Sequence, residues 1–497
     1  MGRVLALIAL CLPLFFAGLD AYDLDTKGEP REAFTAWEIL HSGDWALPRL
    51  NGEALPEKPL VFPWLVAIST RCLGEGGNLA PRLPSAILAT GLVLVVFALG
   101  KRLQGEGVVP AVVCACTTLV VMLGRRARVD MTLTFFVSLA LLVFLRALER
   151  PRWSTLLLFW LIVSLGTLTK GPIGAILPGL AIGTFLFLEG RWDFAPRLLA
   201  PLPLFVGIAG SWYAYGLHRE SWTFAHQSFL MENLEMYVGA KTGGGHEHLT
   251  LYYFKYIPWQ VLPWTLSVPP ALWLAWENRH EQRGSFPLAW LLPLFIFFSL
   301  GRGKRGDYML PLMPALALVV ADFWRRDSRA LRAVTILGAV TTLCALVAFP
   351  FARSWIPIDV PGIVLAGGAL AGILPAVLVA RGTRRAALAV TAGGVTLLVL
   401  GVVTRIMPTQ QVARPFVAEV ERAVGGRPLL EYNLLDFTTL YYMRRRIPTL
   451  HEEAEVEQAI RNGAFVLVPR GSWRSLRAPF RDAVAAETTD RLLLGQR

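Results

Sequence analysis

Apolar runs close to bilayer length recur along this chain from Leu5 to Thr404, separated by short, mostly basic loops. Their positions predict membrane helices at about 4–19, 84–100, 108–123, 131–147, 154–168, 172–189, 197–216, 257–276, 285–300, 308–324, 331–350, 362–380 and 386–404, about thirteen in all. Each is long enough to cross a hydrocarbon core or nearly so. The first run follows Arg3 and reads as either a cleaved signal peptide or a retained anchor. Leu60 to Thr70 is also apolar but too short to span, which predicts a helix lying at the interface.

Orientation follows from the loops. With the N-terminus inside, Lys101 and Arg102, Arg150 and Arg152, Arg191 and Arg197, Arg279 and Arg283, Arg325 and Arg326, and Arg381, Arg384 and Arg385 all fall in the cytoplasm, as the positive-inside rule requires. The same count sends a first loop (20–83), Arg125 to Asp130, Thr169 to Gly171, a second large loop (217–256), Gly301 to Asp307 and everything beyond Arg405 to the opposite face. After Arg405 the period changes, and short apolar strands such as "GAFVLVPRG" alternate with the helical "HEEAEVEQAIRNG". The expected organisation is a transmembrane domain over 1–404 and a small α/β domain over 405–497, outside the cytoplasm.

Composition agrees with this pattern: 54% of the 497 residues are hydrophobic and 17% charged, which excludes an ordinary soluble protein. The net charge of +12 is spread over loops. It suits anionic lipid headgroups or a phosphate-bearing substrate, and no nucleic-acid partner is expected. The five cysteines lie mostly within apolar runs without metal-type spacing and read as core residues.

Two outward segments break the charge rule, "GRRARVD" at Gly124 to Asp130 and "GRGKRGDY" at Gly301 to Tyr308. Basic residues on the disfavoured side call for an anionic ligand or for snorkelling helix ends. Arg128, Arg302, Lys304, Arg305 and Tyr308, with Lys58, are the candidates for holding a phosphate. Lys170 in "LTKGP" reads as standing at a helix start, either facing an anion or serving as a structural cation. In the first loop Asp23, Asp25, Glu29, Arg31, Glu32, Asp44, Glu57 and Lys58 lie close in sequence. Carboxylates beside cations suit proton abstraction from a hydroxyl near a phosphate, or they are plain surface ion pairs.

The fragments "GEPREA", "EILHSGDWALPRLNGE", "EKP", "RVDM", "LTKGP" and "GKRGDYMLPLMPAL", in that order from about Asp23 to Leu316, resemble the family of polyprenyl-phosphate-sugar glycosyltransferases. That family includes bacterial aminoarabinose transferases of lipid A and is related to protein O-mannosyltransferases. The resemblance implies a mainly α, polytopic membrane protein of GT-C architecture in the bacterial inner membrane, with its active site facing the periplasm. It implies an inverting transferase moving a monosaccharide from a polyprenyl-phosphate donor to a lipid, glycan or protein acceptor. The family's first-loop acid falls on Asp25 or Glu29, its second external acid on Asp130, and its metal- and phosphate-holding pair on Glu57 and Lys58. His246 stands seven residues before Tyr253, where the family has a loop histidine. Glu57 with His246, or with His248, would then hold a divalent ion such as zinc. The rival readings are a lipid or polysaccharide transporter, which places ionisable groups at mid-membrane, and a non-catalytic envelope-assembly protein.

Overall fold

The computed structural model describes all residues except 25–27, 56–58, 221, 223–225, 227–250, 327, 353–358, 474–483, 489–490 and 496–497. They form two compact units: one of Met1–Leu19, residues 56–62 and Arg82–Ile406, the other of Asp20–Leu55, Pro63–Pro81 and Met407–Arg497.

The first unit is helical, and all thirteen apolar runs fall on helices. They are not thirteen unbroken spans. Among the described residues eight helices are long and apolar enough to cross a membrane, nine if Trp192–Leu199 and Leu202–Arg219, bent by 53°, count as one. This is a multi-pass membrane protein. Three shorter apolar helices are Gly2–Phe16, Val61–Leu73 and Ile173–Leu188.

Among the expected spans that are broken, two have breaks that supply partners for each other. The run at 108–123 divides into Val108–Ala115 and Thr118–Gly124 because Thr117 turns extended, at φ −71° and ψ 125°. The run at 257–276 divides into Tyr252–Gln260 and Val268–Glu277. Across the gap the Thr118 amide donates to the Leu262 carbonyl at 3.0 Å, and the Trp264 indole donates to the Val113 carbonyl at 3.0 Å. Non-helical backbone at membrane depth is tolerated where neighbouring protein satisfies it, and here it does.

The N-terminal run is part of this core. Cys11, Leu14 and Phe15 are fully buried. Beyond them the helix unwinds, and Arg125 donates to the carbonyls of Leu14, at 2.8 Å, and Ala17. Arg82, also fully buried, donates to the Leu19 carbonyl at 2.8 Å. Removing the run would strip carbonyl partners from two buried guanidinium groups, a costly change. Arg125, one of the basic residues on the disfavoured side, is thereby occupied with backbone. Further along, the helices Gly362–Gly372 and Arg384–Gly401 cross so closely that a Cβ on Gly394 would meet the Ala371 nitrogen at 2.5 Å, the small-residue packing that membrane helices favour.

The second unit carries a hairpin, β1 (Arg49–Leu50) with β2 (Glu53–Ala54), and a five-stranded mixed sheet. The sheet strands are β3 (Leu429–Tyr432), β4 (Thr449–Leu450), β5 (Phe465–Pro469), β6 (Val484–Glu487) and β7 (Arg491–Leu494), in the order β4-β3-β5-β7-β6. β3 runs parallel to β4 and β5, whereas β7 is antiparallel to β5 and β6. The first-loop helix Gly28–Ser42 contributes Ala33 and Phe34 to the same core as Phe416, Val420, Leu440 and Leu467. Polar contacts repeat the link. Asp23 accepts from the amides of Ala413 and Arg414 at 3.1 Å, capping the helix Ala413–Val424. Glu38 accepts from Arg446 Nε at 2.6 Å, and Asn51 exchanges two hydrogen bonds with the Ile447 backbone.

On β3, Glu431 is fully buried, with only the Asp436 amide, at 3.2 Å, donating to its carboxylate among the described hydrogen bonds. Burial pushes its carboxyl up to about 8, with the nearby Asp436 adding and Arg491 opposing. The folded state therefore holds a proton that the unfolded chain releases near the ordinary glutamate range. This group's contribution is complete at low pH and is lost as pH rises toward about 8. The melting temperature of the second unit is expected to fall between pH 5 and 8, on the order of a few kcal/mol of stability. Glu431→Gln should flatten that dependence, and parallel pH profiles for parent and variant in thermal melts would contradict it.

Candidate active site

The site grows from the helix Val129–Glu149, which begins where the polar "GRRAR" gives way to an apolar run. Arg128 is its extended N-cap, at φ −135° and ψ 134°, and Asp130 lies in its first turn, where the positive end of the helix favours a carboxylate. A three-residue connection leads into the antiparallel helix Trp153–Lys170, so the end of the second helix returns to the level at which the first began.

Lys170 is the last residue of that helix, not the first of the next. Gly171, at φ +75°, ends it, and Ile173–Leu188 begins after Pro172. The expectation of a helix N-terminus at Lys170 is corrected: the nearby helix end is carbonyl-rich and favours a cation.

The third element is "GRGKRGDY", which leaves the helix Gln282–Leu300 and enters a short 3-10 turn, Gly306–Leu312. The turn is pinned by Gln260, whose Nε2 donates to the Gly306 carbonyl at 3.0 Å. A Cβ on Gly306 would lie 2.9 Å from that nitrogen.

Charges from these three elements alternate in sign. Lys170 Nζ donates to Asp130 Oδ1 at 2.6 Å, and Arg128 Nε lies 3.5 Å from Asp130 Oδ2. The same guanidinium donates to Asp307 Oδ2 at 3.0 Å, and Arg305 comes within 3.9 Å of that oxygen. The Tyr308 ring lies beneath Lys170, 4.5 Å from Nζ to the centroid. Among the described residues, three cations here face two carboxylates. Asp130 is 3% exposed, so its charge depends on those partners.

The surrounding residues are less uniform. Lys304 is buried and donates to the Gly301 carbonyl, and burial lowers its ammonium below the ordinary lysine range. Arg302, in the same segment, is exposed.

The structure thus brings together Asp130, Arg128, Lys170, Arg305 and Tyr308, with Lys304 and Arg302 on the segment that carries Arg305. Glu29 belongs to the second unit, where it is fully buried in the first turn of Gly28–Ser42. Asp25, Glu57, Lys58, His246 and His248 lie outside the described residues. Among the described residues no group of three or more metal-type side chains converges. Asp307 is the member that sequence reasoning missed. It stands directly before Tyr308 in the very segment singled out for its cations, and an acid among basic residues is the signal that marked it.

Lys170→Met leaves a nearly buried carboxylate with one partner fewer and is expected to cost about 2 kcal/mol of stability. Asp130→Asn in the same chain should return a large part of that loss. Thermal melts of the single and double variants check this, and simple additivity would show that the pair is not coupled.

Comparison with known proteins completes the description. The family model described as dolichyl-phosphate-mannose-protein mannosyltransferase matches residues 57–210. An undecaprenyl phosphate-alpha-4-amino-4-deoxy-L-arabinose arabinosyl transferase from Pseudomonas paraeruginosa is 29% identical over 70% of this chain and 65% of its own length. A similarly named transferase from Pseudomonas fluorescens is 30% identical over 69% of this chain and 63% of its own. The chain thus spans just under two thirds of the length of these relatives. The crystal structure of ArnT from Cupriavidus metallidurans bound to undecaprenyl phosphate superposes with a TM-score of 0.81 at 22% identity, over 99% of this chain and 98% of that one. An apo structure of the same protein gives 0.82.

Proposed function

We propose, from the membership of this chain in the polyprenyl-phosphate-sugar-dependent glycosyltransferase family, that it is an inverting transferase. It moves one monosaccharide from a polyprenyl-phosphate donor to a hydroxyl or phosphate oxygen of an acceptor, on the outer face of the bacterial inner membrane. The names of the relatives carry an undecaprenyl-phosphate-linked amino sugar, and a lipid A-like glycolipid is the acceptor proposed here. The acceptor oxygen attacks the anomeric carbon as its proton passes to a carboxylate. The bond from that carbon to the lipid phosphate breaks, and the polyprenyl phosphate leaves as an anion.

The observation that carries the reading is the group of alternating charges around Asp130. A leaving phosphate needs cations held in place before it forms, and such preorganised charge is where most of the rate gain arises. Lys170 and Arg128 are held by Asp130 at 2.6 and 3.5 Å. Their positive charge has the sign the leaving group requires. Asp130, engaged by both, serves the cations and not the acceptor's proton, which leaves the base to Asp25 or Glu29. Transport accounts less well for this arrangement, since Asp130 and Lys170 stand at helix ends and not at mid-helix.

The test uses purified protein in lipid vesicles, a polyprenyl-phosphate donor with a radiolabelled pentose or hexose, and a lipid A acceptor. The parent is expected to transfer label. Lys170→Ala and Arg128→Ala should each lower kcat/KM by about 100-fold, and Asp25→Asn with Glu29→Gln should abolish turnover while leaving donor binding. A parent that turns over no donor, or Lys170→Ala and Arg128→Ala variants as fast as the parent, would end the proposal.

The metal is a separate claim. Glu57 and His246 are proposed to hold a divalent ion such as zinc, which when bound would neutralise phosphate charge. Metal analysis of the purified parent should find about one equivalent, and the Glu57→Ala, His246→Ala double variant much less. Equal content in the two removes this pair as ligands.

A further inference from the structure

Asp307 has no part in the reaction just described, yet its geometry places it between two of the cations that do. Its Oδ2 accepts from Arg128 at 3.0 Å and lies 3.9 Å from Arg305. It is also the residue before Tyr308, whose ring supports Lys170 at 4.5 Å. One short turn therefore touches both cations that Asp130 holds.

This matters because Arg128 is a long side chain with many rotamers. A single carboxylate at 3.5 Å, the separation from Asp130, restricts a guanidinium weakly. A second carboxylate on another of its nitrogens defines the plane of the group, since the donors of arginine form a rigid fork. Arg128 is 13% exposed at the side chain and Asp307 31%, so water competes only in part for this contact.

We propose that Asp307 is a positioning residue for donor recognition: it orients Arg128, and through the adjacent Tyr308 it keeps Lys170 in register, so that both cations meet the phosphate of the lipid-linked donor. The inference rests on the glycosyl-transfer reading above. It makes no claim that Asp307 touches substrate. Its effect should fall on the donor and spare the acceptor, because the groups it orients are assigned to the phosphate.

The experiment is a double-mutant cycle of Asp307→Asn and Arg128→Lys in the vesicle transfer assay, with KM measured separately for donor and acceptor. Asp307→Asn is expected to raise the donor KM about 10-fold and leave the acceptor KM within about 2-fold of the parent. Arg128→Lys loses the fork and should give a similar rise. The double variant should then be little worse than either single one, because both remove the same contact. A donor KM unchanged in Asp307→Asn, an equal rise for the acceptor, or effects that multiply in the double variant would overturn the assignment. Asp307→Ser is the second variant if Asn does not fold. Loss of folding in both would also overturn it, since Asp307 would then be structural. A parent that transfers no sugar overturns the reaction itself, whereas an active parent with a normal Asp307→Asn overturns this inference alone.

Discussion

A carboxylate that is 3% exposed at the mouth of an apolar helix bundle must be paired or neutralised, because low dielectric surroundings penalise an isolated charge heavily. Asp130 is paired, and that constraint organises the first unit's polar chemistry. Lys170 reaches it from the end of the antiparallel neighbour and Arg128 from the residue two before it. Each cation then needs company of its own. The Tyr308 ring lies under Lys170 and Asp307 accepts from a second nitrogen of Arg128, so three separate chain segments are drawn to one place by the cost of a single buried charge.

Much of the membrane part was legible because hydropathy reports burial in lipid directly. All thirteen apolar runs are helical. What hydropathy could not report is continuity. The runs at 108–123 and 257–276 satisfy a length count, yet Thr117 turns extended and Leu262 spends its carbonyl on Thr118. Composition is blind to this, because the break is stabilised by a partner about 145 residues away and not by its own neighbours. Lys170 taught a smaller lesson. "LTKGP" contains both the end of one helix and the approach to the next, and only the positive φ of Gly171 shows which side of the boundary the lysine occupies.

The second unit was legible in class and not in extent. Strand and helix periods beyond Arg405 announce an α/β fold, and the mixed sheet β4-β3-β5-β7-β6 follows. That Asp20–Leu55 and Pro63–Pro81 share this unit has no local signature. The link consists of pairs nearly the whole chain apart: Asp23 with the helix starting at Ala413, Glu38 with Arg446, and Asn78 with Tyr442. It also explains why acids of the first loop were hard to rank. Asp23 is a helix cap and Asp44 a turn residue that accepts from the Ala46 and Leu47 amides, so charges that looked alike in sequence divide by what they hold.

The site's electrostatics also make sense of an arrangement that first looks wasteful. Cations proposed to hold a phosphate would bind it most strongly if no carboxylate shared them. Three unpaired cations in one partly buried place would repel one another, and their side chains would scatter toward water, so the anion would have to order them on arrival. Two carboxylates remove most of that repulsion and fix the donors. On the proposed function, an incoming phosphodiester would meet a preformed site, and the second negative charge that develops as the sugar departs would compete for hydrogen bonds already aimed at an anion. Weaker attraction is exchanged for lower reorganisation, which is the favourable exchange when the charge to be stabilised develops only as a bond breaks.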